Sequence, residues 1–228
     1  GASQVRGSAA PGSADASSIR SDVLEQIESF GFDSRMKMGV GGFMTADIYP
    51  VVLFRNGDAL TDVAGLSLPG GVDVHKRTHP GAWTRWRRDG GKLQVTGKNG
   101  WKTLAFQSTY PRLPDGFTLD GLFRSLSGAG TLAAGGSQEV VAWNTYRFWP
   151  DGRVVRGNGA GGRSEAGDVS VTTASMPPNQ RGRYRVDGLM LRISYDDGST
   201  EDRILITDPA SAKSSIWLDG VGYARRSR

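Results

Sequence analysis

Apolar residues recur at every second position along most of the chain. Met36, Met38 and Val40 alternate with polar or glycine positions, Leu93 and Val95 do the same, and Leu189, Leu191, Ile193 and Tyr195 alternate with Met190, Arg192 and Ser194. A period of two is that of strands with one face buried. The runs are separated by Asn56-Gly57, Asp89-Gly90-Gly91, Asn99-Gly100, Asp151-Gly152, Asp187-Gly188 and Asp197-Gly198. Such dipeptides tolerate the positive φ of tight hairpin turns. Consecutive hairpins predict an antiparallel meander. Ahead of it, Val23, Leu24, Ile27 and Phe30 fall at helical spacing behind an Asp22 N-cap, with Glu25 three residues on and a Gly31 stop. That segment predicts one short N-terminal helix.

The chain also parallels itself. The apolar run Val51-Val52-Leu53-Phe54 before Asn56-Gly57 matches Tyr146-Arg147-Phe148-Trp149 before Asp151-Gly152. Gly81-Ala82-Trp83, followed by Leu93 and Val95, matches Gly182-Arg183-Tyr184, followed by Leu191 and Ile193. The pattern predicts an internal duplication with halves 35–113 and 114–228, against the alternative that any meander repeats strands and turns. About ten meandering strands leave two bare edges unless the sheet closes. The predicted fold is therefore all-β, an antiparallel up-and-down β-barrel over residues 35–228, preceded by a helix and linker over 21–34 and a flexible tether over 1–20. The strand order and the Gly-x-aromatic strand starts resemble the calycin-like barrels, lipocalins and their relatives, while the N-terminal Gly-x-Trp context and C-terminal helix of true lipocalins are missing. The resemblance implies a ligand-binding cup and no particular ligand.

Composition narrows the chemistry. Of 228 residues 37% are apolar, enough for a core, and cysteine is absent, which removes disulfides, thiolate nucleophiles and thiolate-bound metals. Gly1–Ser18 is almost wholly Ala, Ser and Gly, a linker composition that reads as the tether of an exported, periplasmic or lipoprotein-anchored protein. No run reaches the roughly 20 apolar residues of a membrane helix. A net charge of +5 suits an anionic partner such as phosphate, an anionic glycan or a lipid headgroup.

Two sets of residues are candidates for binding. In Trp83-Thr84-Arg85-Trp86-Arg87-Arg88, strand alternation sets Trp83, Arg85 and Arg87 on one face, a surface that can stack on sugar rings and pair with anions. Tyr146, Phe148 and Tyr184 are strand-borne aromatics that would line the cup if the barrel is hollow and fill its core if it is not. Two Gly-rich loops, 125–137 and 157–167, flank the strand of Tyr146 and Phe148 and could gate one mouth. His75 and His79 stand four apart, but the pre-proline position of His79 points to a loop, and Lys76 and Arg77 repel a cation, so no metal and no cofactor is expected. Gly128–Ala133 fits a loose dinucleotide pattern without the strand and helix that it requires. No G-x-S-x-G, H-E-x-x-H or Walker sequence occurs, and Ser34-Arg35-Met36-Lys37 fits S-x-x-K without companions. The leading expectation is an exported protein that binds a small apolar or amphipathic molecule, or an anionic glycan or lipid, in a barrel cavity. Nucleic acid is not expected, and a protein partner stays open. The alternatives are a motif-less enzyme using groups such as Asp120, Glu139, Tyr146 and Arg147, and a structural subunit of an envelope assembly with a filled barrel and a basic docking strand.

Overall fold

A computed structural model describes residues 19, 21–39, 41–125, 143–158, 176–210 and 214–226. The expected antiparallel barrel is there, and it closes within the C-terminal half alone. Strands β7 (Gly121–Ser125), β8 (Thr145–Phe148), β9 (Arg153–Gly157), β10 (Arg181–Asp187), β11 (Met190–Tyr195), β12 (Thr200–Ile206), β13 (Ser215–Leu218) and β14 (Val221–Arg225) each pair with the next, and β14 pairs back on β7. The ring holds eight strands rather than about ten.

The remaining strands form a six-stranded sheet of their own, β1 (Ile27–Met38), β2 (Met44–Phe54), β3 (Asp58–Leu60), β4 (Trp83–Asp89), β5 (Lys92–Gly97) and β6 (Gly100–Thr103), in that order. Helix α1 (Ser21–Gln26) is shorter than its sequence spacing suggests, because Ile27 to Phe32 pair with β2 instead of continuing the helix. Between β3 and β4 run a 3-10 turn, Val63–Leu66, and helix α2 (Gly71–Thr78). The six Asx-Gly sites found in the sequence all lie at hairpin turns; Gly57 and Gly188, with φ of 90° and 63°, adopt the left-handed backbone that those turns need.

Three apolar clusters hold the molecule together. Inside the barrel, Phe123, Tyr146, Phe148, Val154, Tyr184, Leu191, Ile193, Leu205, Ile216 and Tyr223 pack on each other, and Leu113 and Leu119 close one end. There the Tyr184 hydroxyl accepts the Leu119 amide at 2.8 Å and donates to the Trp149 carbonyl at 2.7 Å. A second cluster joins sheet to barrel: Ile27, Phe30, Phe32, Val52 and Phe54 meet Leu189, Met190, Ile204 and Ile206 on the barrel's outer wall, and Ile19 and Val23 cover the seam. The third and smallest lies within the curl of the N-terminal sheet, from Val51, Leu53 and Ala59 to Leu93, Val95 and Leu104. The base of the β1–β2 hairpin is thus buried on both faces. Each large side chain so covered contributes about 1.5–3 kcal/mol, so the shared cluster couples the two sheets strongly. At Gly182 on β10 a Cβ would lie 2.2 Å from the Ser194 carbonyl oxygen of β11, so the strands approach this closely only over a glycine.

Candidate functional site

Strand β4 carries its basic residues on alternating faces, and the hairpin pairing decides what each meets. Trp83, Arg85 and Arg87 share a face, as alternation predicts, but their surroundings differ. The Trp83 indole N–H donates to Nδ1 of His75 at 2.8 Å, its ring lies 5.5 Å from that of Phe54, and the Lys76 ammonium sits over it at 4.9 Å. Trp83 therefore clamps α2 onto the sheet. Arg85 donates to Asp58 at 2.8 Å, and Lys76 reaches the same carboxylate. Burial works against the Asp58 charge, but the hydrogen bonds from Lys76 and Arg85 outweigh it and hold this carboxyl below its ordinary range.

Arg87 is the member of the trio that faces outward with an aromatic partner. Its guanidinium lies 4.2 Å over the ring of Trp101 on β6, and its Nε donates to Gln94 on β5 at 2.9 Å. Register sets Arg87 opposite Gln94 and Gln94 opposite Thr103, so the guanidinium, amide, hydroxyl and indole form one patch across three strands. Trp101 is 40% exposed. A flat aromatic, a planar cation and an amide side by side on a strand face can stack on a sugar ring while pairing with its carboxylate or sulfate. Arg88 belongs to the opposite face, where it meets Glu28 at 3.5 Å and the ring of Trp86.

The barrel interior is a second concentration of chemistry, and most of it was not singled out from the sequence. Glu201 and Arg203 on β12 point inward with Leu205. The Tyr146 hydroxyl donates to Glu201 at 3.0 Å and that of Tyr195 at 3.4 Å, while Arg156 donates at 2.9 Å. Arg203 lies 3.7 Å from Glu201 and 3.0 Å from Asp219. Arg156 also covers the Tyr195 ring at 3.7 Å and the Trp143 ring at 4.6 Å, so it seals this end of the barrel. Burial, then the Glu201 charge, pushes the Tyr146 and Tyr195 phenols far up, which keeps both protonated as donors. Burial opposes the Arg203 charge, yet the adjoining Tyr146, Glu201 and Asp219 oxygens hold it firmly cationic. Two arginines face two carboxylates, so the layer is charge-balanced and its lone pairs are engaged.

Tyr146, Phe148 and Tyr184 lie together in this interior. The Tyr146 and Phe148 rings stack at 5.9 Å, and Phe148 meets Tyr184 edge-on at 5.1 Å. Tyr146 and Phe148 are wholly buried, and both fill the barrel around the ionic layer. Trp83, Arg85 and Arg87 belong to the other sheet and to none of this interior cluster, so the two sequence-derived sets make two places. The candidate acid–base groups do not converge either: Arg147 pairs with Asp120 at 3.0 Å on the outer surface, away from the Tyr146 hydroxyl. Ser34 and Lys37 fall on opposite faces of β1, which separates the S-x-x-K pair. Glu139, Gly128–Ala133 and nearly all of the two Gly-rich loops lie outside the described residues.

The chain finds no match among protein-family models, curated proteins or solved structures.

His75 corrects one sequence expectation. It sits on α2 rather than in a loop, buried against Gly65, where a Cβ would come within 2.7 Å of its Nδ1. Its ring stacks on His79 at 4.6 Å. Because Trp83 donates to Nδ1, the neutral ring carries its proton on Nε2, which faces Asp62 at 3.7 Å. Among the described residues no group of three or more His, Cys, Asp or Glu side chains could hold a metal ion. A pocket of about 190 Å³ beside Trp83 is lined by the polar Asp22, Gln26, Asn56, Asp58 and Lys76 together with the apolar Val23, Phe54 and Val72.

Proposed function

We propose that the protein is a non-catalytic binding module that holds an anionic glycan on the outer face of β4–β6, with the filled barrel as its scaffold. The observation that carries this reading is the exposed Arg87–Trp101 stack with Gln94 beside it. The net charge of +5 favours approach to a polyanion. The eight-strand meander supports a calycin-like reading of the barrel, but Tyr146, Phe148 and Tyr184 take up the interior that a cup would leave open. That packing favours an outer surface over a cavity as the place of binding. The Ala/Ser/Gly-rich Gly1–Ser18 stretch supports a tethered, exported setting, where anionic envelope or matrix polysaccharides are available. In an envelope assembly the same face would act as a dock.

Retention on resins bearing a polyuronate and a sulfated polysaccharide, with a plain sulfonate resin as control, tests the proposal. Arg85 is tied to Asp58 at 2.8 Å and Arg88 faces away, whereas Arg87, although 3.4 Å from Asp89, lies over the exposed Trp101 ring, so the change that matters is at Arg87. Arg87→Gln should lower the eluting salt on all three resins. Trp101→Ala should weaken retention about two- to fivefold on the glycan resins, the worth of an exposed cation–π or stacking contact, and leave the sulfonate resin unaffected. Unchanged glycan retention of Trp101→Ala would reduce the patch to solvated surface.

A further inference from the structure

Strands β1 and β2 run on past the body of the molecule as a two-stranded arm. Cross-strand register pairs Ser34 with Ile48, Met36 with Ala46, and Met38 with Met44 on one face, and Arg35 with Asp47 and Lys37 with Thr45 on the other. One face of the arm is therefore apolar and the other polar. The apolar face continues the stripe of Phe30, Phe32 and Val52, which the barrel covers. That cover ends at Trp217, whose ring meets Phe32 at 4.4 Å and whose N–H donates to the Ile48 carbonyl at 3.0 Å. Beyond it, Met36, Met38, Phe43, Met44 and Ile48 are exposed, Met38 by 70% and Phe43 by 75%. Arg35 reinforces the arm from its polar face, pairing with Asp47 at 3.0 Å and lying 4.7 Å over Tyr49.

We propose that this arm docks on an anionic lipid surface, laying Met36, Met38, Phe43 and Met44 into the headgroup boundary. Contiguous exposed apolar side chains on a preformed element mark an interaction surface, and charge decides its occupant. From Met36 to Ala46 the sole ionisable side chain is Lys37, and the nearest carboxylate, Asp47, is neutralised by Arg35. The arm thus approaches negative headgroups without a repelling acid, aided by the net charge of +5. A second copy of the chain presents the same Lys37 and the same net charge, so pairing arm on arm brings like charges together. Methionines adapt to a fluid, irregular surface. At about 3.3 Å per residue, the five residues 34–38 reach roughly 17 Å, enough for the 5–10 Å depth of an interfacial element. At that depth water and headgroups satisfy the open strand edges, which a bilayer core would not.

This inference rests on residues separate from the glycan face, and one set of variants distinguishes the two. The full protein is co-sedimented with vesicles of phosphatidylcholine plus phosphatidylglycerol, and with phosphatidylcholine alone. The expected result is binding to the anionic vesicles, weakened about tenfold or more by Phe43→Asp or Met38→Asp, each losing one large apolar burial, with Trp101→Ala unchanged. Both arm positions are exposed, and unaltered circular dichroism will show that the variants are folded. The proposal is overturned if the parent ignores anionic vesicles, or if both arm variants bind like the parent. It is equally overturned if Trp101→Ala rather than Phe43→Asp abolishes binding, or if the parent is a solution dimer that Phe43→Asp dissociates while vesicles are not bound.

Discussion

The N-terminal sheet and the C-terminal barrel pass through the same succession of elements and end differently. In each, a strand enters an Asx-Gly turn, Asn56-Gly57 or Asp151-Gly152; a Gly-x-aromatic segment then opens the next long strand at Trp83 or Tyr184; and another Gly turn leads to a strand with alternating apolar residues, β5 or β11. Strands β1 to β6 correspond in order to β7 to β12. The C-terminal set then adds β13 and β14, and the second of these pairs with β7 to complete the ring. The N-terminal set has no such pair after β6. Along its β1 edge stand the Phe30–Tyr110 bridge, the Glu28–Arg88 ion pair and Asp33, which accepts the Ala105 amide at 3.0 Å and the Lys102 ammonium at 3.3 Å.

Two strands thus separate a self-sufficient core from a dependent one. Among the described residues closure gathers fifteen buried residues into the barrel cluster, whereas the curl of the open sheet gathers six, and the open sheet makes up the deficit by packing β1 and β2 on the barrel wall. The open side is also where chemistry reaches solvent: the Arg87–Trp101 face and the β1–β2 arm both belong to it.

The largest effect that this comparison predicts is on separated halves. A fragment of residues 111–228 should keep β-sheet circular dichroism and a cooperative melt, while 19–110 should be unfolded alone, because Phe30, Phe32, Val52 and Phe54 lose their partners. A folded N-terminal fragment would abolish the proposed dependence. Next comes a pair of core truncations. Phe148→Ala, inside the ring, should cost about 3–5 kcal/mol in denaturant unfolding, and Leu93→Ala, in the small curl, about 2–3 kcal/mol, at the low end for its type because an open sheet relaxes around the gap. Equal costs would show that the curl is as rigid as the ring.

The smallest effect is a pH dependence confined to the open half. Burial, opposed by Asp62, lowers the pKa of His75 below its ordinary value. The unfolded chain then takes up this proton more readily than the folded one, so stability should be full above about pH 6.5 and fall as the pH drops below it. Hydrogen exchange between pH 7.5 and 5.5 should show α2 and β4 amides loosening first, with barrel amides unaffected. His75→Phe should flatten that response. Barrel amides loosening in step would mean that the two halves open together.

Much of this was legible in the sequence, and the exceptions have physical causes. The strands with period-two alternation and the Asx-Gly turns are local properties of the backbone and stand where the sequence sets them, but only Leu93–Val95 and Leu191–Tyr195 bury the alternating face; Met36 and Met38 point it to solvent, and Val40 lies outside the described residues. The helix over Asp22–Phe30 was overread for a local reason as well: a β-bulge between Ile27 and Ser29 returns Phe30 to the face of Ile27, and that spacing of three imitates a helix. Helix α2 was overlooked because His75 is its one buried side chain, so no apolar stripe announced it. Arg87 was a candidate from its strand, but its partner Trp101 follows the Asn99-Gly100 turn, and pairing the hairpin across that turn would have found it.

The sequence by itself determined the all-β class, the meander order and the alternation that aims each residue, because these depend on neighbours a few positions apart. Tertiary structure decided which strands close on which, since β14 can choose β7 only when the whole ring is assembled. It also decided the meaning of Glu201-Asp202-Arg203, which reads as solvated charge along the chain. Tyr146, Arg156 and Tyr195 come from three other strands, and only closure brings their donors to Glu201, whose largely covered carboxylate keeps its charge by being paired.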